Sequence, residues 1–106
     1  MPLSRSFRET VMSRAQKDPE FRAEMISEAT SAFLDGDIDT GKGLLRDYLN
    51  ATGSLPHIAH ALNKDDKSLR RMLGPKGNPT LKNFIELLNA CQQEEQVRFE
   101  VRVVHQ

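Results

Sequence analysis

The sequence predicts an all-α fold that ends in one short β-strand, and three observations carry that expectation. Apolar residues recur every three or four positions in successive segments. Breaker runs rich in Gly, Pro and capping residues separate those segments. Only Val97-Arg98-Phe99-Glu100-Val101-Arg102-Val103 alternates strictly between apolar and charged, the period of a half-buried strand. At 106 residues, 38% hydrophobic and 6% aromatic, the chain suits one small helical domain with a modest core. That length excludes a large enzyme cleft with a lid.

The elements follow in order. Phe7, Val11 and Ala15 make a helical stripe across residues 2–16, flanked by Arg5, Arg8, Glu9 and Arg14. Asp18-Pro19-Glu20 is a strong helix start, with Asp as N-cap and Pro at the first helical position. The helix it opens carries Phe21, Met25, Ala29, Ala32 and Phe33 on one face and should stop near Gly36. Asp37-Ile38-Asp39-Thr40 offers the next cap, for a helix over residues 39–51 that buries Leu44, Leu45, Tyr48 and Leu49. Gly53-Ser54 closes it, and Pro56 suits the first turn of the following helix.

Residues 55–74 are the most informative stretch. Ile58, Ala59 and Leu62 share a helical face, the polar run Asn63-Lys64-Asp65-Asp66 follows, and Leu69, Met72 and Leu73 resume an apolar face. This is the spacing of a helix-turn-helix. Ala59 lets the second helix approach closely, and Asn63 tolerates the left-handed backbone that a sharp turn needs. Lys67, Ser68, Arg70 and Arg71 are left facing outward, the polar cationic face that a helix in a DNA major groove presents. A merely structural helical hairpin is the competing reading of the apolar spacing alone.

Gly74-Pro75-Lys76-Gly77-Asn78-Pro79 reads as a loop, after which Thr80 caps a helix carrying Leu81, Phe84, Ile85, Leu87, Leu88 and Cys91. The final strand has no second strand in the chain to pair with, so its expected partner is another chain. That partner is the same strand of a second copy or the sheet edge of a different protein. The alternatives are a frayed tail or a strand folded onto its own helix.

The formal net charge is zero, but it is unevenly spread. Residues 55–83 carry six Lys/Arg against two Asp, while residues 1–54 and 84–106 each carry two more acidic than basic groups. Positive charge is thus concentrated on the helix pair and its loop, the local footprint of phosphate contact. Cys91 is the single cysteine, which rules out an internal disulfide and fits a reducing compartment. No apolar run approaches a membrane span and no secretory leader pattern opens the chain, so the expectation is a soluble cytoplasmic protein without a membrane partner.

With these residues laid out, the chain resembles the Cro/C1-type helix-turn-helix family, and more narrowly its HigA-like addiction-module antidote proteins. The narrower resemblance rests on SRSFRETVMSRAQKDPEFR, on LRDYLNATGSLPHIAHALNKDDKSLRRMLGPKGNPTLKNF and on VRFEVRV, nearly the whole length. Its most specific part is SLRRMLGPKGNPT. Asn63 stands where many helix-turn-helix proteins have glycine. The resemblance implies a homodimeric antitoxin that represses its own operon and neutralises a RelE-superfamily toxin. It divides the chain into an N-terminal two-helix extension (1–38), a DNA-binding domain (39–94, recognition helix about 66–73) and a strand and tail (95–106).

Individual residues then take expected roles. Lys67 and Arg71, one helical turn apart, can address neighbouring base edges, with discrimination of roughly 1–3 kcal/mol per good contact. Ser68 and Asp66 sit near the helix start and can read a base or contact phosphate, although Asp66 is equally suited to cap the helix. Arg70, Lys76, Asn78, Thr80 and Lys82 are candidates for phosphate contact. His57 and His60 have ligand-like i, i+3 spacing but no third ligand type nearby, so a polar surface or phosphate role is simpler than a metal. Glu94-Glu95 and Asp65-Asp66 read as surface or capping carboxylates. No nucleophile arrangement or phosphate-binding Gly-Lys-Ser/Thr ending occurs, so neither catalysis nor a cofactor is expected. A stand-alone phage-type repressor, or an interaction module that no longer binds DNA, are the competing functions. Toxin contact is expected from the N-terminal helices (Phe7, Val11, Phe21, Met25) or from the strand edge.

Overall fold

The computed structural model describes residues 5–106, whose regular structure is entirely helical. The helices are α1 (Arg5–Lys17), α2 (Pro19–Leu34), α3 (Ile38–Thr52), α4 (Leu55–Ala61), α5 (Asp66–Met72) and α6 (Leu81–Glu95). The part of the first helical stripe that precedes Arg5 lies outside the described residues.

Local chemistry sets most of the boundaries. The Asp18 carboxylate accepts from the Glu20 and Phe21 N–H groups at 3.0 and 3.3 Å, with Pro19 opening α2. Asp37 accepts from Thr40 N–H at 3.3 Å to start α3. Thr80 Oγ1 accepts from Asn83 N–H at 3.1 Å to start α6. Between α4 and α5 the chain reverses at Asn63, which takes the expected left-handed conformation at φ 57°. Lys64 N–H then donates back to Ala59 C=O at 2.9 Å.

Helix α3 is the centre of the packing. It contributes Leu45, Tyr48, Leu49 and Ala51 to one apolar cluster, against α1 and α2 and against α4. Ala15 of α1, Met25, Ile26 and Ala29 of α2, Leu55, Ile58 and Ala59 of α4, Leu69 of α5 with Leu73 just after it, and Leu87, Leu88 and Cys91 of α6 complete it. Each fully buried aliphatic side chain contributes about 1.5–3 kcal/mol. Gly41 makes room for the Phe33 ring of α2, since a Cβ there would meet that ring at 2.7 Å. The Phe33 ring in turn meets Phe84 edge-on, centroids 4.2 Å apart.

A buried polar cluster ties both ends of the chain together. Glu95, with its side chain 6% exposed, accepts from Arg22 Nε at 2.9 Å and from Tyr48 OH at 2.5 Å. Arg22 also donates to Ala15 C=O at 3.0 Å. The reading of Glu95 as a surface or capping carboxylate is therefore corrected: it lies inside because four helices supply or surround its donors. Its neighbour Glu94 stays at the periphery, 2.8 Å from His57 Nδ1.

The terminal segment forms no strand within the single chain. Helix α6 ends at Gln96, φ 56°, and from Val97 onward no β-ladder forms among the described residues. A strand needs a partner for its N–H and C=O groups, and the chain supplies none. Val97 donates its N–H to Gln92 C=O at 3.0 Å, and Phe99 packs against the core and donates its N–H to Gln92 Oε1 at 2.8 Å.

The core carries an alkaline weakness. Burial first, and the Glu95 carboxylate second, push the Tyr48 hydroxyl far above its ordinary range. Burial, then Glu95 and Glu94, push the Cys91 thiol up to about 12. Both groups keep their protons in the folded chain at pH values where the unfolded chain sheds them. The contribution of these two groups is therefore complete below about pH 8.5 and falls as pH rises, first for Cys91 and from about pH 10 for Tyr48, by up to about 1.4 kcal/mol per unit for each. Urea midpoints at pH 8, 9.5 and 10.5 should decline, and Cys91→Ala should delay the onset. Midpoints that stay flat to pH 10.5 would refute the burial of both protons.

Candidate nucleic-acid interface

Helix α5 is short, so its position depends on its ends and its anchors. Asp65 is the N-cap, its Oδ1 accepting from Ser68 N–H at 2.7 Å. The Ser68 hydrogen bonds hold the Asp65 carboxyl below its usual range. This corrects the capping role considered for Asp66, which is instead the exposed first residue of the helix. Leu69 and Leu73, 0% and 1% exposed, pin one face of the α5 segment into the core. Lys67, Ser68, Arg70 and Arg71 are all exposed, as the apolar spacing requires.

Beyond α5 the chain folds back along it. Gly77 N–H donates to Gly74 C=O at 2.9 Å, and Gly77 lies so close to α5 that a Cβ would run into the carbonyl oxygens of Arg71 and Met72. Glycine is required there by contact, not by its backbone angle. Two cations from α3 fasten this return from behind. Lys42, only 3% exposed, donates through Nζ to Gly74 C=O at 2.9 Å and Gly77 C=O at 2.8 Å. Arg46 Nη1 donates to Leu73 C=O at 2.6 Å. Cations on the orphan carbonyls after a helix satisfy both the hydrogen-bonding deficit and the helix dipole.

The result is an open cleft of about 640 Å³ between α5, the 74–79 loop and the start of α6. Of the residues expected to meet DNA, Ser68, Arg71, Lys76, Asn78 and Thr80 line it together. Lys64 and Asn83 also line it and were missed. Its lining holds three cations, Lys64, Arg71 and Lys76, and no carboxylate. The capped N-terminus of α6 adds partial positive charge at the same wall.

Four expected residues are not brought into the cleft. Asp66 and Lys67 sit exposed on α5, and Lys82 sits exposed in the first turn of α6. Arg70 lies on the other flank of α5, beside Arg46, Asn50 and Leu55, because consecutive helical residues are rotated by about 100°. Lys42 and Arg46 are the supporting residues that sequence reasoning overlooked. Their i, i+4 spacing on α3 was the available signal, since it sets two cations on one helix face. His57 is engaged with Glu94, and no group of three or more His, Cys, Asp or Glu among the described residues could hold a metal ion. No helix among them is long and apolar enough to cross a membrane.

Compared with known proteins, the chain matches no family model, no curated protein and no solved structure.

Proposed function

We propose that the chain is a sequence-specific DNA-binding antitoxin of the HigA-like type, with α4 and α5 acting as a Cro/C1-type helix-turn-helix. The observation that supports this most is the carboxylate-free cationic cleft continuous with the exposed face of α5. Helix α5 would lie in the major groove, with Arg71, Lys67 and Ser68 at base edges and Asp66 at its leading end. Lys76, Asn78 and Thr80 would hold one phosphate strand from the cleft, and Arg70 and Lys82 would contact phosphates on its flanks. The chain would act as a homodimer on an imperfect palindrome with half-sites about 34 Å apart. Its C-terminal segment would become a strand only on pairing between chains. It would have no catalytic role and no cofactor, and would work in the cytoplasm.

Neutralisation of a RelE-superfamily toxin follows from the resemblance. The surface for it is narrower than the sequence suggested. Met25 is 5% exposed and Phe21 packs against the core, whereas Phe7 is 53% exposed. Deletion of residues 98–106 should cost dimerisation or capture of a co-expressed toxin from the adjacent gene.

The test is a fluorescence-anisotropy titration with the DNA upstream of the chain's own gene, beside a scrambled duplex, at 50 and 200 mM salt. Preference for the native duplex of about 10³-fold or more, with affinity falling steeply with salt, is the expected result. Arg71→Ala should cost roughly 1–3 kcal/mol and relax the preference at one base position. Equal, weak binding to both duplexes would replace this proposal with a protein-interaction module.

A further inference from the structure

We propose that residues 98–104 pair antiparallel with the same residues of a second copy of this chain, in the register that sets Val101 against the partner's Val101. The inference rests on the homodimer in the function proposed above and supplies its interface.

The direction of the available edge follows from Phe99. Its N–H is used by Gln92 Oε1 at 2.8 Å, and its ring rests on the core. Backbone groups of successive strand residues point to opposite sides. The edge turned away from the body is therefore that of residues 98, 100, 102 and 104. Arg98 and Glu100 lie on one face, Arg98 Nη2 3.8 Å from Glu100 Oε1, and both are exposed. The apolar face beyond Phe99 is uncovered: Val101 is 82% exposed and Val103 is 79% exposed.

Charge complementarity selects the register. Centring the pair on Glu100 sets Glu100 against the partner's Glu100 and Arg98 against the partner's Arg102, like charges throughout. Centring it on Phe99 also sets Arg98 against the partner's Glu100, but the left-handed backbone of Gln96 at φ 56° ends the ladder at Val97 and leaves Arg102 and Val103 unpaired. A one-residue slip sets charges against valines. Centring on Val101 sets Glu100 against the partner's Arg102 on both sides of the two-fold axis. It also places Phe99 against the partner's Val103, which covers the valines of both copies. The hydrogen-bonded pairs are then those of residues 98, 100, 102 and 104, the ones whose backbone groups are free of the body. The two Val101 residues form a non-hydrogen-bonded pair, with Cα atoms about 4.5 Å apart, within disulfide reach.

Sedimentation equilibrium on the full chain tests this. The wild type should be a dimer. Glu100→Arg and Arg102→Glu should each weaken it at least tenfold. An equimolar mixture of these two variants should restore the dimer, because one copy then brings Arg at both positions and the other Glu at both. Arg98→Glu, opposite the partner's Val104, should leave the dimer near wild type. Mild oxidation of Val101→Cys should give a disulfide-linked dimer, with Cys91 buried and uninvolved. A monomeric wild type would overturn both the pairing and the homodimer. A wild-type dimer with no Val101→Cys cross-link and no rescue on mixing would overturn the pairing while leaving the homodimer standing. Operator binding is read separately, by the anisotropy titration.

Discussion

Replacing Glu95 with alanine is expected to cost about 3–5 kcal/mol of folding stability, the range for removing one partner of a buried ion pair. One carboxylate receives both Arg22 Nε and Tyr48 OH, and its side chain is 6% exposed. Truncation leaves a four-fifths-buried guanidinium with its backbone acceptor at Ala15 but no counter-charge, and a phenol without its acceptor in a residue with no exposed surface. The loss is large beside a total stability of about 5–15 kcal/mol. Glu95→Gln keeps an acceptor for Tyr48 and removes the charge, so its cost should be smaller. Tyr48→Phe removes the hydroxyl together with its need and should cost about 1–2 kcal/mol. Urea unfolding of the three variants gives the order. A shift below about 1 kcal/mol for Glu95→Ala would mean that water reaches and satisfies Arg22 and Tyr48.

That cluster also marks the boundary of what the sequence discloses. Helix starts at Asp18, Asp37 and Thr80 were legible because each cap and the backbone N–H that donates to it lie within three residues. The turn at Asn63 was legible for the same reason. Cap identity at α5 was ambiguous by one residue, since Asp65 and Asp66 are adjacent and only the backbone decides between them. Arg22 and Glu95 are 73 residues apart, and Tyr48 and Glu95 are 47 apart. Such contacts leave no periodic trace, so Glu95 looked like any exposed carboxylate near a helix end.

The candidate site divides in the same way. Ser68, Arg71, Lys76, Asn78 and Thr80 converge because α5, its loop and the start of α6 are consecutive in the chain. The clamp behind them comes from α3, with Lys42 32 and 35 residues from the carbonyls it holds. That residues 97–103 form no ladder within the single chain has a different reason: alternation specifies a face, whereas a ladder requires a partner that one chain does not contain.

Lys42→Met should lower both folding stability and DNA affinity, and the pattern of the two losses identifies what Lys42 does. Methionine keeps an unbranched apolar stem of similar length, so the substitution removes little beyond the ammonium group and its hydrogen bonds. Hydrogen bonds from a charged donor are worth about 1.5–3 kcal/mol each, and two are lost here, so a total of about 2–4 kcal/mol is expected after relaxation. Arg46 still holds the Leu73 carbonyl, which keeps the end of α5 in place while the 74–79 loop loosens. Because that loop carries Lys76 and Asn78, affinity should fall about tenfold, near 1.4 kcal/mol. Lys76→Ala supplies the contrast. An exposed cation that meets phosphate should leave stability within about 0.5 kcal/mol and reduce the salt slope by about one. Lys42 is buried behind the loop and reaches no phosphate in this arrangement, so Lys42→Met should leave the salt slope unchanged. A slope that drops by about one in Lys42→Met, with stability intact, would place Lys42 on the DNA itself and the loop carbonyls in water.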